Sequence, residues 1–262
     1  METFVRFAVS YGFSAYGFSS HAPLPYEAMW TLSKENMENY IQEFNRLKMA
    51  YADRIELFLG LEIDYLNEES NPASDYFQQL PLDFRIGSVH LLPNYKGEMI
   101  DMDVSVEKFR QVVDTHFNGD LDYVICLYYS QLRKMIRKGG FDIVGHVDKL
   151  HYNASMCRPG LLDENWYNRI VTDFFEEIAE KGYIVEVNTK AFLEKRTFFP
   201  NERYFPLFRE MGVRMTVNSD AHCPDKINAG RKEGLTALKR AGFDSVAELH
   251  EGGWRQVPIV LD

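Results

Sequence analysis

The chain contains 262 residues, of which 45% are hydrophobic and 14% aromatic, so it can bury a sizeable core. Its 39 acidic and 29 basic residues give a net charge of −10. This charge argues against a general binding surface for nucleic-acid phosphates, and we expect no nucleic-acid partner. An anionic substrate would instead need a local attraction, from a metal cluster or a few arginines.

Cysteine usage and hydropathy favour the cytoplasm. Cys126, Cys157 and Cys223 are odd in number and widely spaced, and without a C-x-x-C pair they indicate neither a disulfide framework nor a cysteine-based zinc site. No stretch reaches the roughly 18 to 20 apolar residues of a membrane span, and the opening residues lack the layout of a signal peptide. We therefore expect a cytoplasmic protein without a membrane partner.

Short apolar runs alternate with longer amphipathic segments, and no linker interrupts them, which predicts a single domain over residues 1–262. The first half predicts, in chain order, a helix over 1–11, a strand over 14–19, a helix over 33–52 with Ser33 as N-cap, a strand over 55–63, a helix over 72–80 and a strand over 84–92. The second half predicts two helices between 104 and 138, a strand over 141–147, a helix over 163–181 ended by Gly182, a strand over 183–189, a helix over 204–211, a last clear strand over 213–219 and a helix over 227–241.

This alternation predicts an α/β fold with a parallel sheet. Six strands, nearly all followed by helices, favour a (β/α) barrel over an open doubly wound sheet at this chain length. The chain opens on a helix, whereas a barrel of this kind begins with a strand.

Metal-ligating residue types follow five of the predicted strands. Because side chains from different strands converge at the carboxyl-terminal rim of a parallel barrel, we expect these residues to face one another. Imidazoles and carboxylates without thiolates suit zinc, manganese or iron, and two or three such ions activate water against a phosphoryl group. The candidate ligands are His21, Glu62, His90, His146, Asp220 and His222.

A lone histidine after an apolar run is more often a packing residue, so the prediction rests on the joint placement of four histidines out of seven. His116 and His250 are better explained by packing or surface exposure, and the sequence leaves His151, in the loop after the His146 strand, undecided. Asn188 is placed to orient other groups by hydrogen bonding. For Asp64, the sequence leaves open whether the carboxylate is exposed to solvent or supports a ligand in a similar way.

Six motifs in this order resemble the polymerase and histidinol phosphatase (PHP) superfamily, and within it the histidinol-phosphatase branch. They are SSHAP, GLEID, IGSVH, DIVGHVD, EVNT and NSDAH, and they span essentially the whole chain. The resemblance implies a distorted (β/α)7 barrel with a trinuclear metal cluster. It also implies hydrolysis of L-histidinol phosphate, a small phosphate monoester, to L-histidinol and phosphate in histidine biosynthesis.

The resemblance assigns roles to the candidate ligands. Glu62 would bridge the first and second metals, His90 and His146 would ligate the second, and Asp220 the first. His21 and His222 would ligate the third. The nucleophile would be a metal-bound hydroxide, since the sequence suggests no protein nucleophile, no P-loop and no Rossmann fingerprint.

One family motif is absent from this chain. The family begins with H-x-H on its first strand, and no such motif occurs here. We expect either the loss of about 15 to 20 N-terminal residues, that is one strand and its loop, or a degenerate member, and we favour truncation because the other six ligands are retained. The first and third metal sites would then be incomplete and the activity of this form impaired.

Arginine suits a phosphate ligand because its forked guanidinium matches the oxygens, and the loops after the His146 and Asn188 strands carry Arg158 and Arg196. Family members have basic residues in these loops, so we predict both arginines as phosphate ligands, with Lys190 and Arg231 as further candidates. Two alternative functions stay open: a related enzyme acting on nucleotides or 3′ ends, and a catalytically dead barrel kept for binding. The sequence does not reveal the oligomeric state.

Overall fold

The computed structural model describes residues 1–261, and a curled, six-stranded parallel sheet forms its centre. The strands of the chain are β1 (Ala15–His21), β2 (Glu56–Asp64), β3 (Phe84–Ser88), β4 (Leu91–Pro93), β5 (Met99–Asp101), β6 (Ile143–Val144), β7 (Ile184–Asn188), β8 (Arg214–Asn218), β9 (Ser245–His250) and β10 (Gly253–Pro258). The parallel sheet has the order β1-β2-β3-β6-β7-β8, while β4 with β5 and β9 with β10 form two antiparallel hairpins. The predicted α/β fold of the distorted barrel type is confirmed.

Ten α-helices cover or connect these strands. They are α1 (Glu2–Ser10), α2 (Met37–Ala50), α3 (Asp75–Gln78), α4 (Val106–His116), α5 (Leu121–Lys138), α6 (Leu150–Cys157), α7 (Asn165–Lys181), α8 (Phe192–Lys195), α9 (Phe205–Glu210) and α10 (Arg231–Arg240) within the described part of the chain. None of them is both long and apolar enough to cross a membrane. Gly182 ends α7 in the left-handed conformation, as predicted from the sequence.

The structure corrects several predicted boundaries. Helix α2 begins at Met37 instead of Ser33, because the Ser33 hydroxyl accepts a hydrogen bond from the backbone N–H of Asn36 in a turn that precedes the helix. The single strand predicted over 84–92 is broken after Ser88, and the backbone N–H of His90 donates to Asp64 instead of a neighbouring strand. The sequence prediction missed α6, which contains His151, and it missed the hairpin of β9 and β10.

The interior of the sheet changes character from one end to the other. At the amino-terminal ends of the strands it is apolar, and the β9–β10 hairpin packs Ala247, Leu249 and Trp254 against it. Because side chains alternate along a strand, the positions further along the same face bring polar groups to the carboxyl-terminal ends. The apolar interior residues are Phe58, Phe84, Ile86, Ile143 and Ile184.

Two glycines make room for one of these aromatic rings. A Cβ atom at Gly60 would lie 2.5 Å from the ring of Phe84, and one at Gly17 would lie 3.0 Å from it. The ring therefore lies against the backbones of both strands. The ring of Phe84 also borders the cavity inside the sheet.

We expect Gly60→Ala to destabilise the protein by about 1 to 3 kcal/mol, because the added methyl group would lie 2.5 Å from the Phe84 ring and force it to shift. Urea unfolding measures the change. Gly253→Ala is the matched control, since its Cβ would meet only an ordinary contact at 3.8 Å. Replacing Phe84 by leucine in the Gly60→Ala background should recover part of the loss, and equal stability of the two single glycine variants would contradict this account.

Candidate metal centre

Glu62 lies at the centre of the predicted ligands. Its Oε1 is 2.7 Å from Nε2 of His146 and 3.5 Å from Nε2 of His90, and its Oε2 is 3.4 Å from Nδ1 of His21. Sheet register explains the meeting, since His21 and Glu62 are paired residues on β1 and β2. The structure thus brings a carboxylate and three imidazoles together from four different strand ends.

His90 and His146 direct ring nitrogens toward the same space. Their Nε2 atoms are 3.0 Å apart. Asp64 accepts hydrogen bonds from both the backbone N–H and Nδ1 of His90, at 2.8 and 2.9 Å, so a neutral His90 ring has its lone pair on Nε2. Asp64 is buried and orients His90, which settles the question that the sequence left open.

The donor set fits a divalent metal ion. Nδ1 of His21 and Nδ1 of His146 are buried and have no hydrogen-bond partner among the described residues, which is costly for a polar atom. Donor atoms of His21, Glu62 and His90 all lie within 4.8 Å of one another. Imidazole nitrogens around a carboxylate are ligands for zinc, manganese and iron, so the residues present match the predicted cofactor class.

Asp220 and His222 lie on the rim of the same site. Oδ2 of Asp220 accepts a hydrogen bond from Asn188 and lies 3.3 Å from Nζ of Lys190. The same Nζ is 3.4 Å from Nε2 of His222, and the rings of His222 and His21 are 6.0 Å apart. The ammonium group of Lys190 therefore lies between the carboxylate of Asp220 and the imidazole of His222.

The charges of the buried groups suit metal binding. Burial pushes the pKa of Glu62 upward, but the neighbouring His90 and His146 outweigh that effect and hold it well below its usual range, so the carboxylate is ionised. Burial lowers the pKa of both His21 and His146, which favours the neutral, coordinating form. Burial also works against a charged His90, yet Asp64 and Glu62 raise its pKa to about 9, so a metal ion held by His90 would have to displace a proton.

Glu186 is a functional residue that sequence reasoning missed. It is buried, and burial together with nearby Asp220 raises its pKa to about 7. Its carboxylate accepts hydrogen bonds from the backbone N–H of His146 at 2.8 Å and from the side-chain amides of Asn188 and Asn218. The signal was present in the sequence, because Glu186 precedes Asn188 by two positions and therefore shares its face of β7.

The two arginines predicted as phosphate ligands are held elsewhere. Arg158 forms ion pairs with Asp122 at 2.7 Å and Glu164 at 2.9 Å, and Arg196 lies over the ring of Phe192 at 5.4 Å. Neither lines the two cavities beside the metal centre. The structure does not bring Arg158 or Arg196 to the cluster, so the geometry gives their predicted role no support.

A buried polar network supports the turn that carries His146. Oδ1 of Asp148, a wholly buried residue, accepts hydrogen bonds from the hydroxyls of Tyr129 at 2.5 Å and Tyr167 at 2.8 Å. His151 lies 2.6 Å from the carbonyl oxygen of Asp148 and 3.1 Å from the hydroxyl of Thr197. His146 and Asp148 have positive φ angles of 23° and 64°, so the surrounding contacts hold a strained turn. His151 is therefore a structural residue.

Two cavities reach the metal centre. The larger, of about 850 Å³, occupies the interior of the sheet from Leu249 and Trp254 to His21 and Asp220. The smaller, of about 240 Å³, touches His90 and Asp220 from the side of α6. A small molecule can therefore approach the cluster.

Known proteins share this sequence pattern. The PHP domain family profile matches residues 1–190 of the chain. A histidinol-phosphatase of Lactococcus lactis is 24% identical over 249 residues, which cover 92% of this chain and 84% of the relative. A probable histidinol-phosphatase of Schizosaccharomyces pombe is 23% identical over 266 residues, which cover 96% of this chain and 84% of the relative.

Solved structures share the fold. A Lactococcus lactis histidinol phosphate phosphatase, in a crystal structure with zinc, L-histidinol and phosphate, matches with a TM-score of 0.70 and 20% identity over 97% of this chain and 92% of that chain. A candidate histidinol phosphatase of Listeria monocytogenes matches with a TM-score of 0.75 and 19% identity over 87% of this chain and 91% of that chain. At these identities the likeness concerns the fold.

We expect His90→Ala to weaken zinc binding by at least about 100-fold, because loss of a supporting hydrogen-bond partner alone costs roughly 10- to 100-fold. Asp64→Asn, which removes such a partner, should fall within that smaller range. Calorimetric titration of the metal-stripped protein measures both effects. His116→Ala, at the end of α4, is the matched control and should bind zinc as the unaltered chain does. Equal affinities in all four proteins would exclude this site.

We expect Tyr129→Phe to lower the free energy of unfolding by about 1 to 3 kcal/mol, because buried Asp148 loses one of its two tyrosine donors. Tyr95→Phe removes a hydroxyl from a side chain that is 53% exposed and should change stability by less than about 0.5 kcal/mol. Urea unfolding compares the two variants, and similar losses in both would show that the Asp148 network does not stabilise the fold.

Proposed function

Because the chain belongs to the PHP domain family, we propose that it is a metal-dependent phosphomonoesterase that hydrolyses L-histidinol phosphate to L-histidinol and phosphate. The observation that carries the proposal is the ionised carboxylate of Glu62 among the imidazoles of His21, His90 and His146. The names of the relatives and the zinc, L-histidinol and phosphate of the Lactococcus lactis structure support the choice of substrate and of zinc.

The residues of the chain have distinct tasks in this proposal. Glu62, His90 and His146 would hold one ion, and His21, Asp220 and His222 would complete the cluster at the rim. When bound, such ions polarise the phosphoryl oxygens and lower the pKa of water toward neutrality. Asp64 orients the His90 ring, and Glu186 fixes the backbone of His146, so the ligands are positioned before substrate binds.

The general charge of the protein favours a small substrate over a nucleic acid. With a net charge of −10, the chain lacks the excess of basic residues that tracks a phosphate backbone. Both cavities at the cluster are bounded by side chains of the barrel and its loops. These cavities are long enough for a phosphate monoester of a small alcohol.

A phosphate-release assay on zinc- or manganese-loaded protein tests the proposal with L-histidinol phosphate, other phosphate monoesters and dinucleotides. We expect a preference for L-histidinol phosphate, and we expect Glu62→Gln to lower kcat/KM by at least about 100-fold, because the amide removes the charge that holds the ions. Glu38→Gln, an exposed carboxylate on α2, is the matched control and should leave kcat/KM unchanged.

The outcomes separate the alternative functions. A preference for dinucleotides would overturn the proposed substrate. Tight metal binding without hydrolysis of any phosphoester would indicate a binding protein that keeps the centre of an enzyme.

A further inference from the structure

Three lysines and three acidic residues line the smaller cavity beside the metal centre; the acidic residues are Asp103, Glu194 and Asp220. Its inner end is formed by His90, Asn188 and Asp220. Lysine side chains contribute to its walls although acidic residues outnumber basic ones in the chain, 39 to 29. These lysines are Lys149, Lys190 and Lys195.

Lys149 differs from the other two lysines in its fixed position. Its Nζ is 2.6 Å from Oδ2 of Asp103, and its side chain is 17% exposed. Its backbone N–H donates to the carbonyl oxygen of His146, so the lysine and a metal ligand lie on one turn. Lys190 is instead paired with Asp220, and Lys195 lies over the ring of Tyr152.

Lys149 lines the same cavity as His90, Asn188 and Asp220. Burial works against its charge, yet the carboxylates of Asp103, Asp220 and Glu62 raise the pKa of Lys149, so the ammonium group stays charged. The ammonium-bearing side chain and the candidate ligands His90 and Asp220 therefore border one space.

We propose that this cavity binds the phosphoryl group of the substrate, with Lys149 as a direct ligand of a phosphate oxygen and Asp103 as the residue that positions Lys149. The inference deepens the proposed phosphatase function and rests on it. It replaces the predicted arginines with a lysine, a compact point charge that suits phosphate in a small space.

The shape and lining of the cavity fit a small phosphate monoester. Its volume of about 240 Å³ is below the range typical of sites for larger ligands. The first turn of α6 lies at one wall, where the helix amino terminus favours an anion. Apolar side chains complete the wall and can contact the organic part of the ester; they are Val89, Met102, Leu150, Ala191 and Phe199.

Calorimetric titration of the zinc-loaded full chain with inorganic phosphate tests the proposal. We expect Lys149→Met to weaken phosphate binding by about tenfold or more, because a charge-assisted hydrogen bond is lost. Lys149→Arg should stay within about threefold of the unaltered chain. Lys181→Met, an exposed lysine at the end of α7, makes the same chemical change away from the cavity and should have no effect.

Asp103 provides a second, independent readout. Asp103→Asn should weaken phosphate binding less than Lys149→Met does, and it should add nothing in the Lys149→Met background, because it acts through the lysine. The Asp103 side chain is 45% exposed and stays in contact with water when Lys149 is replaced, so Lys149→Met leaves no buried charge. Urea unfolding and zinc titration of each variant confirm that the fold and the metal centre are intact.

The results distinguish this inference from the proposed function. Absence of phosphate binding to the zinc-loaded chain, or unchanged binding in Lys149→Met, would overturn the role of Lys149 whether or not L-histidinol phosphate is hydrolysed. Weakened phosphate binding in Lys149→Met, in a chain that hydrolyses another monoester such as p-nitrophenyl phosphate but not L-histidinol phosphate, would support the cavity and reject the substrate.

Discussion

The site depends on one buried, ionised carboxylate. Glu62 is 7% exposed, and an ionised carboxylate at such a position costs several kcal/mol unless partners compensate. The hydroxyl of Ser88 donates to it at 2.7 Å, and the three imidazoles surround its two oxygens. Strand β2 lies between β1 and β3, so the neighbours that supply these partners are set by sheet order. A register shift of one residue would turn the carboxylate out of the site.

Two buried glutamates at this end of the sheet have neighbours of opposite charge. The imidazoles around Glu62 outweigh its burial and hold its pKa well below the usual range, whereas burial and then nearby Asp220 raise the pKa of Glu186 to about 7. Glu186 correspondingly makes hydrogen bonds to amides and to the backbone of His146 instead of facing an imidazole nitrogen. The same side-chain type thus has imidazole nitrogens around it at Glu62, and amides with the backbone N–H of His146 around it at Glu186.

The sequence predicted the parallel strands and the residues that meet at their ends, because both follow from local periodicity and from the common direction of the strands. It could not predict the break after Ser88, since that break depends on a hydrogen bond from His90 to Asp64, 26 residues earlier in the chain. It also missed the β9–β10 hairpin, because the apolar residues of this hairpin are buried only by packing against the interior of the sheet. Tertiary contacts, and not propensity, decide these elements.

The same limit applies to the predicted phosphate ligands. Arg158 and Arg196 follow the correct strands, but a loop position does not fix where a long side chain points, and Asp122 and Glu164 pair with Arg158. Lys149 was not singled out because its charge acts through Asp103, which lies 46 residues away in sequence. In a protein with a net charge of −10, a positive group stays directed at an anion only where a nearby carboxylate holds it in place. The Lys149–Asp103 pair meets this condition at the edge of the metal centre, so local geometry can attract phosphate despite the acidity of the chain.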